Sequence, residues 1–449
     1  MRTLQLGPGP DAVADAVAQE LRADYVYMYP PRQAYRSVDP AFAGPLLERS
    51  LARPTPLNVY VHVPFCKQIC AYCNLFAVAG NHDDDHERYV DLIRTEIDHY
   101  APHISHRSVD TLYIGGGTPS VLRPGLLACI TTHISRTIDM PLDTIPEVAL
   151  EVAPDTVTAD VIAGFREAGI NRINLGVQTW DEGELNGIGR RHDTDLNEKA
   201  LTIALNGGFD NVCVDLIYGL PGQTEVTWAD SLSRVIGFRP QTVCCYPLTL
   251  RPSTGYAARG YIGTDNNSQY QRYDTAHAAL TGAGYSQETH VRWVLPGAGG
   301  YRQKANHWAG QDILGVGAGA RSYMHEVDLR NGYSVQHRRS ALSGYQQRVI
   351  QTGAAWTDGI VMDDDERARK AVILGLGHLD RAQFRTKFAT DVTDLFAAQM
   401  EALTHNALVT IDEDAVKLTA AGQRHRDVVV QLFFSDRVRS LIAGHDYNE

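Results

Sequence analysis

Three cysteines close together in the sequence are the residues best suited to unusual chemistry. Cys66, Cys70 and Cys73 form a C-x3-C-x2-C run directly after an apolar, β-branched stretch. Three thiolates leave a tetrahedral zinc ion one ligand short, but they suit an iron–sulfur cube whose fourth iron is open to a small molecule. Two other interpretations stay open, namely buried core thiols and a zinc site completed by one of the 17 histidines. The spacing favours the cluster.

The remaining cysteines and the overall charge narrow the class of protein. Cys129, Cys213, Cys244 and Cys245 lie in apolar segments and are predicted to be core thiols. Seven cysteines, with three of them clustered, are not typical of a disulfide framework, and cluster thiolates need a reducing compartment. The net charge of −12 and the scattered basic residues argue against a nucleic-acid partner. No membrane-length apolar run or signal-peptide pattern is seen, so we expect a cytoplasmic protein.

The elements that must position the cysteines alternate between strand and helix. Six segments rich in β-branched and aromatic residues predict strands at 59–62, 111–114, 147–152, 172–177, 211–218 and 242–248. Helical spacing of apolar residues predicts helices at 87–100, 125–138, 159–168, 196–205 and 225–236. Repeated β–α units require a parallel sheet with right-handed crossovers, and six units allow a barrel or partial barrel. The predicted fold class is therefore α/β.

Polar residues follow the predicted strands, where the active groups of such sheets gather. Gly115, Gly116 and Gly117 follow the second strand, and residues without a Cβ let backbone amides approach a carboxylate or phosphate. Further polar residues stand at or just after strand ends: Glu151, Gln178, Arg190 and Asp215. Singly, each is more typical of a turn or a surface contact. Together they could bind the ribose and carboxylate of a nucleoside-like ligand, with Tyr72 stacking on its base.

The pattern divides the chain into four predicted parts. An N-terminal arm spans 1–55, a barrel spans 56–290, and an extension of the barrel spans 291–364. From 365 to 449, helical patterns precede a hairpin-like segment at 407–419, which predicts a winged-helix-like domain. Its mixed charge indicates a lid or docking module rather than a DNA-binding unit.

The motifs together resemble those of the radical S-adenosylmethionine (SAM) enzymes, in the branch similar to oxygen-independent coproporphyrinogen III oxidase. The resemblance covers most of the chain and rests on six ordered motifs: Tyr60-Val-His-Val-Pro-Phe-Cys66 with the cysteine triplet, Gly115-Gly-Gly-Thr-Pro119, Leu150-Glu-Val152, Gly176-Val-Gln178 with Arg190 and His192, Asp215-Leu-Ile-Tyr-Gly-Leu-Pro-Gly-Gln223, and Asn306 through Ala320.

The resemblance implies a partial (β/α)6 barrel and assigns cofactor sites. Cys66, Cys70 and Cys73 would bind a [4Fe–4S] cluster, and SAM would chelate the open iron. The residues implied at the SAM site are Tyr60, Tyr72, Gly116, Gly117, Thr118, Glu151, Gln178, Arg190 and Asp215. An external one-electron donor such as flavodoxin or ferredoxin would start the reaction, which makes a 5′-deoxyadenosyl radical.

The expected reaction depends on which members of the branch the chain resembles. Coproporphyrinogen oxidases carry a fourth cysteine where this chain has Leu75, and haem chaperones typically begin near their first strand. The aromatic, Arg-containing stretch 25–36 looks more like class C radical SAM methyltransferases. We therefore expect transfer of a methyl or methylene group to an sp2 carbon of a small or peptide-derived natural product, by methylation or cyclopropanation. Porphyrinogen decarboxylation and haem delivery are the alternatives.

The class C expectation requires a second SAM molecule and a base. Glu288 and His290 are the candidate catalytic residues, because histidine accepts a proton near neutral pH and a neighbouring carboxylate tunes it. A solvated loop with ordinary charges is the other interpretation. The residues expected around the second SAM or the substrate are Tyr29, Tyr35, Arg36 and Arg292.

Overall fold

A computed structural model describes residues 10–80, 82–190, 192–251, 254–334 and 336–445. The first nine residues of the predicted arm lie outside the described part of the chain. Its strands are β1 Arg36–Ser37, β2 Leu57–Val63, β3 Phe65–Cys66, β4 Val78–Ala79, β5 Val109–Gly116, β6 Glu147–Val152, β7 Arg172–Gln178, β8 Asn211–Tyr218, β9 Thr242–Pro247, β10 Ser286–Thr289, β11 Arg292–Val294, β12 Ile313–Val316, β13 Arg321–Tyr323, β14 Val327–Asn331, β15 Trp356–Val361, β16 Leu379–Asp380, β17 Val409–Ile411 and β18 Ala415–Leu418.

Helices fill most of the intervals between these strands. They are α1 Pro10–Ala18, α2 Pro40–Leu51, α3 Asp83–Ile104, α4 Pro124–Thr137, α5 Ala159–Glu167, α6 Glu182–Ile188, α7 Thr194–Leu205, α8 Glu225–Phe238, α9 Gly255–Ala258, α10 Asn266–Gly282, α11 Arg302–Trp308, α12 Arg338–Thr352, α13 Asp364–Gly375, α14 Arg381–Phe388, α15 Val392–Leu395, α16 Ala397–His405, α17 Ala420–Arg424, α18 Arg426–Val429 and α19 Asp436–Ala443.

Six parallel strands form the centre of the fold, in the order β2-β5-β6-β7-β8-β9. Their residues are almost all buried, as expected for strands covered on both faces. The outer layer is made by α3, α4, α5, α7 and α8, whose apolar stripes place side chains such as Ile93, Ile130 and Trp228 in the main core. This is the partial (β/α)6 barrel and α/β fold class predicted from the alternation.

The same sheet continues past the sixth strand on both sides. β12 pairs in parallel with β2 and leads into the antiparallel strands β13, β14, β15 and β1, while β11 and β10 extend the other edge. The boundary predicted at residue 290 thus falls within the β10–β11 hairpin of one 13-stranded sheet. Gly315 shows why the sequence pattern predicts no strand in this region. It lies in strand β12, where a Cβ would be only 2.2 Å from the carbonyl oxygen of Arg321.

A second core joins the N-terminal arm to the C-terminal helices. Val13, Tyr29 and Tyr35 of the arm pack with apolar residues of the region after β15, including Val372 and Phe433. In that region, β16 precedes α14, and β17 and β18 follow α16 to complete a three-stranded sheet ordered β16-β18-β17, in the manner of a winged helix. Across the residues described here, every helix is too short or too polar to cross a membrane.

Candidate active site

The cysteine loop lies at the carboxyl end of the first barrel strand. Cys66 is buried at the end of β3, whereas Cys70 and Cys73 are half-buried on the loop that follows. Burial raises the pKa of the Cys66 thiol to about 12. The Thr118 hydroxyl donates a hydrogen bond to Cys66 Sγ at 3.4 Å, which lowers this pKa but only partly offsets the effect of burial. The other two thiols raise this pKa further, so the three act on one another electrostatically. In a [4Fe–4S] cube each thiolate binds a different iron. The three sulfur atoms therefore need not lie as close together as the ligands of a single metal ion.

The glycine triplet at the end of β5 makes room beside Cys66. A Cβ on Gly117 would be 2.7 Å from the Phe65 carbonyl oxygen and 3.0 Å from the Cys66 sulfur. Gly116 has φ +120°, which non-glycine residues rarely adopt. The amide of Gly117 also bonds the Val63 carbonyl at 2.8 Å, so this turn is tied to the strand before the cysteines. The close approach of two backbones therefore explains these glycines.

We predict that Gly117→Ala impairs cluster assembly. The added methyl group meets backbone of Phe65 and the sulfur of Cys66, so the loop must shift and the thiol leaves its position. Reconstituted protein should contain less than about half of the normal iron and sulfide, because rigid surroundings relax only partly around an added methyl group. Gly125→Ala is the matched control, since a Cβ there meets nothing within 4 Å. Normal iron content in Gly117→Ala would contradict the prediction.

Polar side chains stand at the ends of the next two strands, β6 and β7, and just after helix α6. Glu151 accepts hydrogen bonds from the Gly116 amide at 2.9 Å and the Tyr113 hydroxyl at 2.8 Å, while its burial raises the pKa of the carboxyl. Gln178 ends β7 in a left-handed conformation with φ 73°. Arg190 reaches the Tyr72 hydroxyl at 3.5 Å, and its buried Nε has no hydrogen-bond partner. The structure thus brings the predicted SAM-site residues to one edge of the sheet, beside the cysteine loop.

A cavity of about 500 Å³ opens above these strand ends. Tyr60, Glu151 and Asp215 of the predicted SAM site line it, together with Tyr113 and Asn174. The roof comes from the arm and the C-terminal region, the two regions expected to cover the site, although the arm side chains that line it are not the ones predicted. Residues 24–28 and 31–33 of the arm line one side, and residues 431–442 near the C-terminus contribute four more side chains. The cavity therefore lies where the barrel, the arm and the C-terminal region meet.

Three cations in this cavity have no carboxylate partner among the described residues: Arg32, Lys304 and Arg321. Arg32 donates to the Tyr333 hydroxyl at 2.7 Å, and Arg321 donates to those of Tyr27 and Tyr323 at 3.2 and 3.5 Å. Burial, with the charges of Arg292 and Arg426, lowers the pKa of Lys304 to about 7. Sequence reasoning missed all three, because the arm, helix α11 and strand β13 are far apart in the chain and converge only in the fold.

The arm residues expected at a second SAM have structural contacts instead. The Tyr29 hydroxyl donates to Glu366 at 2.6 Å, and Tyr35 is buried in the core shared with the C-terminal region. Arg36 donates to the backbone oxygens of Gln33, Tyr35 and Leu441. None of these three side chains lines the cavity. Their neighbours Tyr25 and Tyr27 do, as part of the run of lining residues 24–28.

The predicted catalytic pair is also separated. Glu288 forms an ion pair with Arg292, whereas His290 faces Asp427 at 3.4 Å and packs against Tyr25. Burial lowers the pKa of His290, against the charge of Asp427. Arg292 stacks over Tyr301 at 5.1 Å. None of the three lines the large cavity; His290 borders a separate small one with Asp427. Glu288 lies on β10 and Arg292 on β11, whereas His290 lies in the turn between the two strands and faces Asp427 of the C-terminal region.

Comparison with known proteins identifies the family of the chain. Residues 60–235 match the model of the radical SAM superfamily. Escherichia coli haem chaperone HemW is 31% identical over 291 residues, which are 64% of this chain and 76% of HemW. The chain belongs to the radical SAM superfamily. Escherichia coli oxygen-independent coproporphyrinogen III oxidase is 29% identical over 388 residues, 82% of this chain and 83% of the oxidase. Within the superfamily, the chain therefore belongs to the branch that contains these oxidases and HemW.

The solved structure of Escherichia coli coproporphyrinogen III oxidase has the same fold. It superposes with a TM-score of 0.79 over 96% of this chain and 99% of the oxidase, at 24% sequence identity. The arm and the C-terminal domain are thus part of the shared fold. Membership implies a [4Fe–4S] cluster and SAM, and two features fit these groups: the space left by Gly117 beside Cys66, and the unpartnered buried Nε of Arg190.

The expected class C methyl transfer is wrong. Similar proteins are haem chaperones and coproporphyrinogen oxidases rather than methyltransferases. That expectation rested on the aromatic arm, and the arm belongs to the fold shared with the oxidase. Tyr29 and Tyr35, which suggested a second SAM, join the arm to the C-terminal region.

Proposed function

We propose that the protein is a radical SAM enzyme that decarboxylates a carboxylate-bearing tetrapyrrole of the porphyrinogen class. The observation that carries the proposal is the set of three cations without carboxylate partners, Arg32, Lys304 and Arg321, in a cavity of about 500 Å³ beside the cysteine loop. Arg32, Lys304 and Arg321 are half-buried, and cations partly withdrawn from water need compensating charge, so the cavity favours an anion with several carboxylates. A pocket of this size encloses a ligand larger than a simple amino acid.

The cofactors supply a 5′-deoxyadenosyl radical that can remove hydrogen from an unreactive carbon. In the proposed reaction a propionate side chain loses a hydrogen atom, carbon dioxide and one electron, which leaves a vinyl group. The cations hold the carboxylates of the side chains, while Tyr25, Tyr27 and the barrel tyrosines cover the ring and exclude water. Tyr60 and Tyr113 stack at 6.0 Å and both line the cavity.

The test is anaerobic incubation of reconstituted protein with reductant, SAM and coproporphyrinogen III. The proposal expects 5′-deoxyadenosine without S-adenosylhomocysteine, together with a tetrapyrrole that has lost carboxyl groups. SAM cleavage with an unchanged porphyrinogen would contradict it. The electron leaving the substrate needs an acceptor, so an added one-electron acceptor should increase turnover.

Haem delivery is the second candidate, and one observation favours it. Leu75 occupies the position of the fourth cysteine of coproporphyrinogen oxidases, and its side chain is 46% exposed on the cavity wall. An apolar side chain there suits a flat macrocycle and leaves the loop with three thiols. Haem titration distinguishes the candidates: a chaperone should bind haem stoichiometrically and leave coproporphyrinogen III unchanged, whereas the proposed enzyme should turn it over.

Substrate binding should weaken as the pH rises through about 7. Lys304 binds a carboxylate only when it is protonated, and its pKa is lowered to about 7 by burial, Arg292 and Arg426. Above that pH, KM for the porphyrinogen should rise by up to about tenfold per pH unit, as linkage to one proton requires. Lys304→Met should remove this dependence and leave SAM cleavage without substrate intact. A pH-dependent KM that persists in Lys304→Met would contradict the role of this lysine.

A further inference from the structure

Two thiols and a carboxylate meet at the floor of the cavity, outside the cysteine loop. Cys213 and Asp215 are two residues apart on β8 and therefore share one face of the sheet, while Cys244 on β9 lies opposite Asp215 in the parallel register. Cys213 and Cys244 are buried, and the half-buried Asp215 borders the cavity. The sequence predicted core thiols here, and Cys245, which packs in the main core, fits that description.

The three ligand atoms are spaced as around a single metal ion. The Cys213 and Cys244 sulfur atoms are 3.6 Å apart, and Cys213 Sγ is 3.8 Å from Asp215 Oδ1. Tetrahedral zinc with ordinary bond lengths would separate two sulfur ligands by about 3.8 Å and a sulfur from an oxygen by about 3.5 Å. Within the described ranges, this is the trio of His, Cys, Asp or Glu residues whose ligand atoms all lie within 4.8 Å of one another.

The surroundings can balance the charge of an occupied site. Two thiolates and a carboxylate around a divalent ion carry one net negative charge, and the positive charges of Arg292 and Arg172 act on Cys244. The Asp215 carboxylate contacts the Cys213 thiol at 3.8 Å and the Cys244 thiol, and a thiol is a weak donor for a carboxylate facing a cavity. A cation would replace this weak contact by a strong one.

We propose that Cys213, Asp215 and Cys244 bind a thiophilic divalent cation such as Zn²⁺, with a fourth coordination position facing the cavity. Three protein ligands and one open position are the arrangement found in catalytic zinc sites, where a water or a ligand oxygen completes the tetrahedron. Asp215 has two carboxylate oxygens, so it can coordinate the ion through Oδ1 and keep the other for a molecule in the cavity. This inference does not depend on the proposed function.

The test uses Co²⁺, whose thiolate complexes absorb visible and near-ultraviolet light, on the full chain carrying Cys66→Ala, Cys70→Ala and Cys73→Ala. Removing the loop thiols ensures that any thiolate signal comes from elsewhere. We expect one equivalent of Co²⁺ to bind with thiolate-to-metal absorption, and Zn²⁺ to displace it. Adding Cys213→Ser and Cys244→Ser should remove this absorption and weaken Co²⁺ binding by at least about a hundredfold, since losing direct ligands exceeds the effect of outer-shell partners. Cys245→Ser is the matched control and should change neither.

A variant that preserves volume covers the case in which the double serine variant does not fold. Asp215→Asn should keep the thiolate absorption and weaken Co²⁺ binding by about tenfold or more. The proposal is overturned if the chain without loop thiols shows no thiolate–Co²⁺ absorption, or if that absorption is unchanged by Cys213→Ser. Circular dichroism of each variant shows whether the fold is intact.

Discussion

Cys70→Ala should lower reductive cleavage of SAM to background. The three cysteines of the loop supply the thiolates that a [4Fe–4S] cluster needs, and the loop offers no nearby side chain of comparable softness to replace one of them. The measurement is 5′-deoxyadenosine formed anaerobically with dithionite, together with the iron and sulfide content and the visible spectrum of the reconstituted protein. We expect the same loss for Cys66→Ala and Cys73→Ala.

Cys129→Ala is the control for this result, because Cys129 is an exposed thiol on α4 and not the core thiol predicted from its apolar segment. It should retain full iron content and cleavage. If Cys70→Ala keeps SAM cleavage, the assignment of the cluster to this loop is wrong. Loss of cleavage in Cys129→Ala would show that thiol substitution in general damages reconstitution.

Arg321→Gln should raise KM for the porphyrinogen by about a hundredfold while SAM cleavage without substrate continues. Removing one partner of a buried charge pair in a complex typically costs 2–5 kcal/mol, which corresponds to roughly thirtyfold to several thousandfold. Arg321 is suited to this role because its guanidinium is held by the hydroxyls of Tyr27 and Tyr323 and has no acidic partner among the described residues. A carboxylate of the substrate would supply the acidic partner of Arg321.

A raised KM together with unchanged SAM cleavage distinguishes weakened substrate binding from damage to the cofactor site. Arg94→Gln is the matched control, since Arg94 is exposed on α3 and pairs with Asp91 one turn away. It should change neither KM nor SAM cleavage, as exposed pairs contribute little. An unchanged KM in Arg321→Gln would contradict the anion-binding role of the cavity, and lost SAM cleavage would place Arg321 in the cofactor site.

The central sheet and the cysteine loop were predictable because local patterns specify them. Parallel strands that are buried on both faces appear in the sequence as continuous apolar segments. The helices between them are recognisable because their apolar residues recur at helical spacing. The residues after each strand necessarily meet at one edge, so Glu151, Gln178 and Asp215 could be grouped before any coordinates. Strand β12 was not predictable, because its glycine, Gly315, serves a close approach to Arg321 of β13 that only the folded chain contains.

What the sequence by itself determined was the cluster spacing, the order of strands and helices, and the ring of residues at the strand ends. The tertiary structure alone decided which side chains line the cavity. Tyr27, Lys304 and Arg321 are distant in the chain and meet because the arm packs on the C-terminal region above the barrel. It also decided that Glu288 and His290 face different partners, and that Cys213 and Cys244 come within 3.6 Å. Such contacts between distant segments depend on packing, and no local period in the sequence records them.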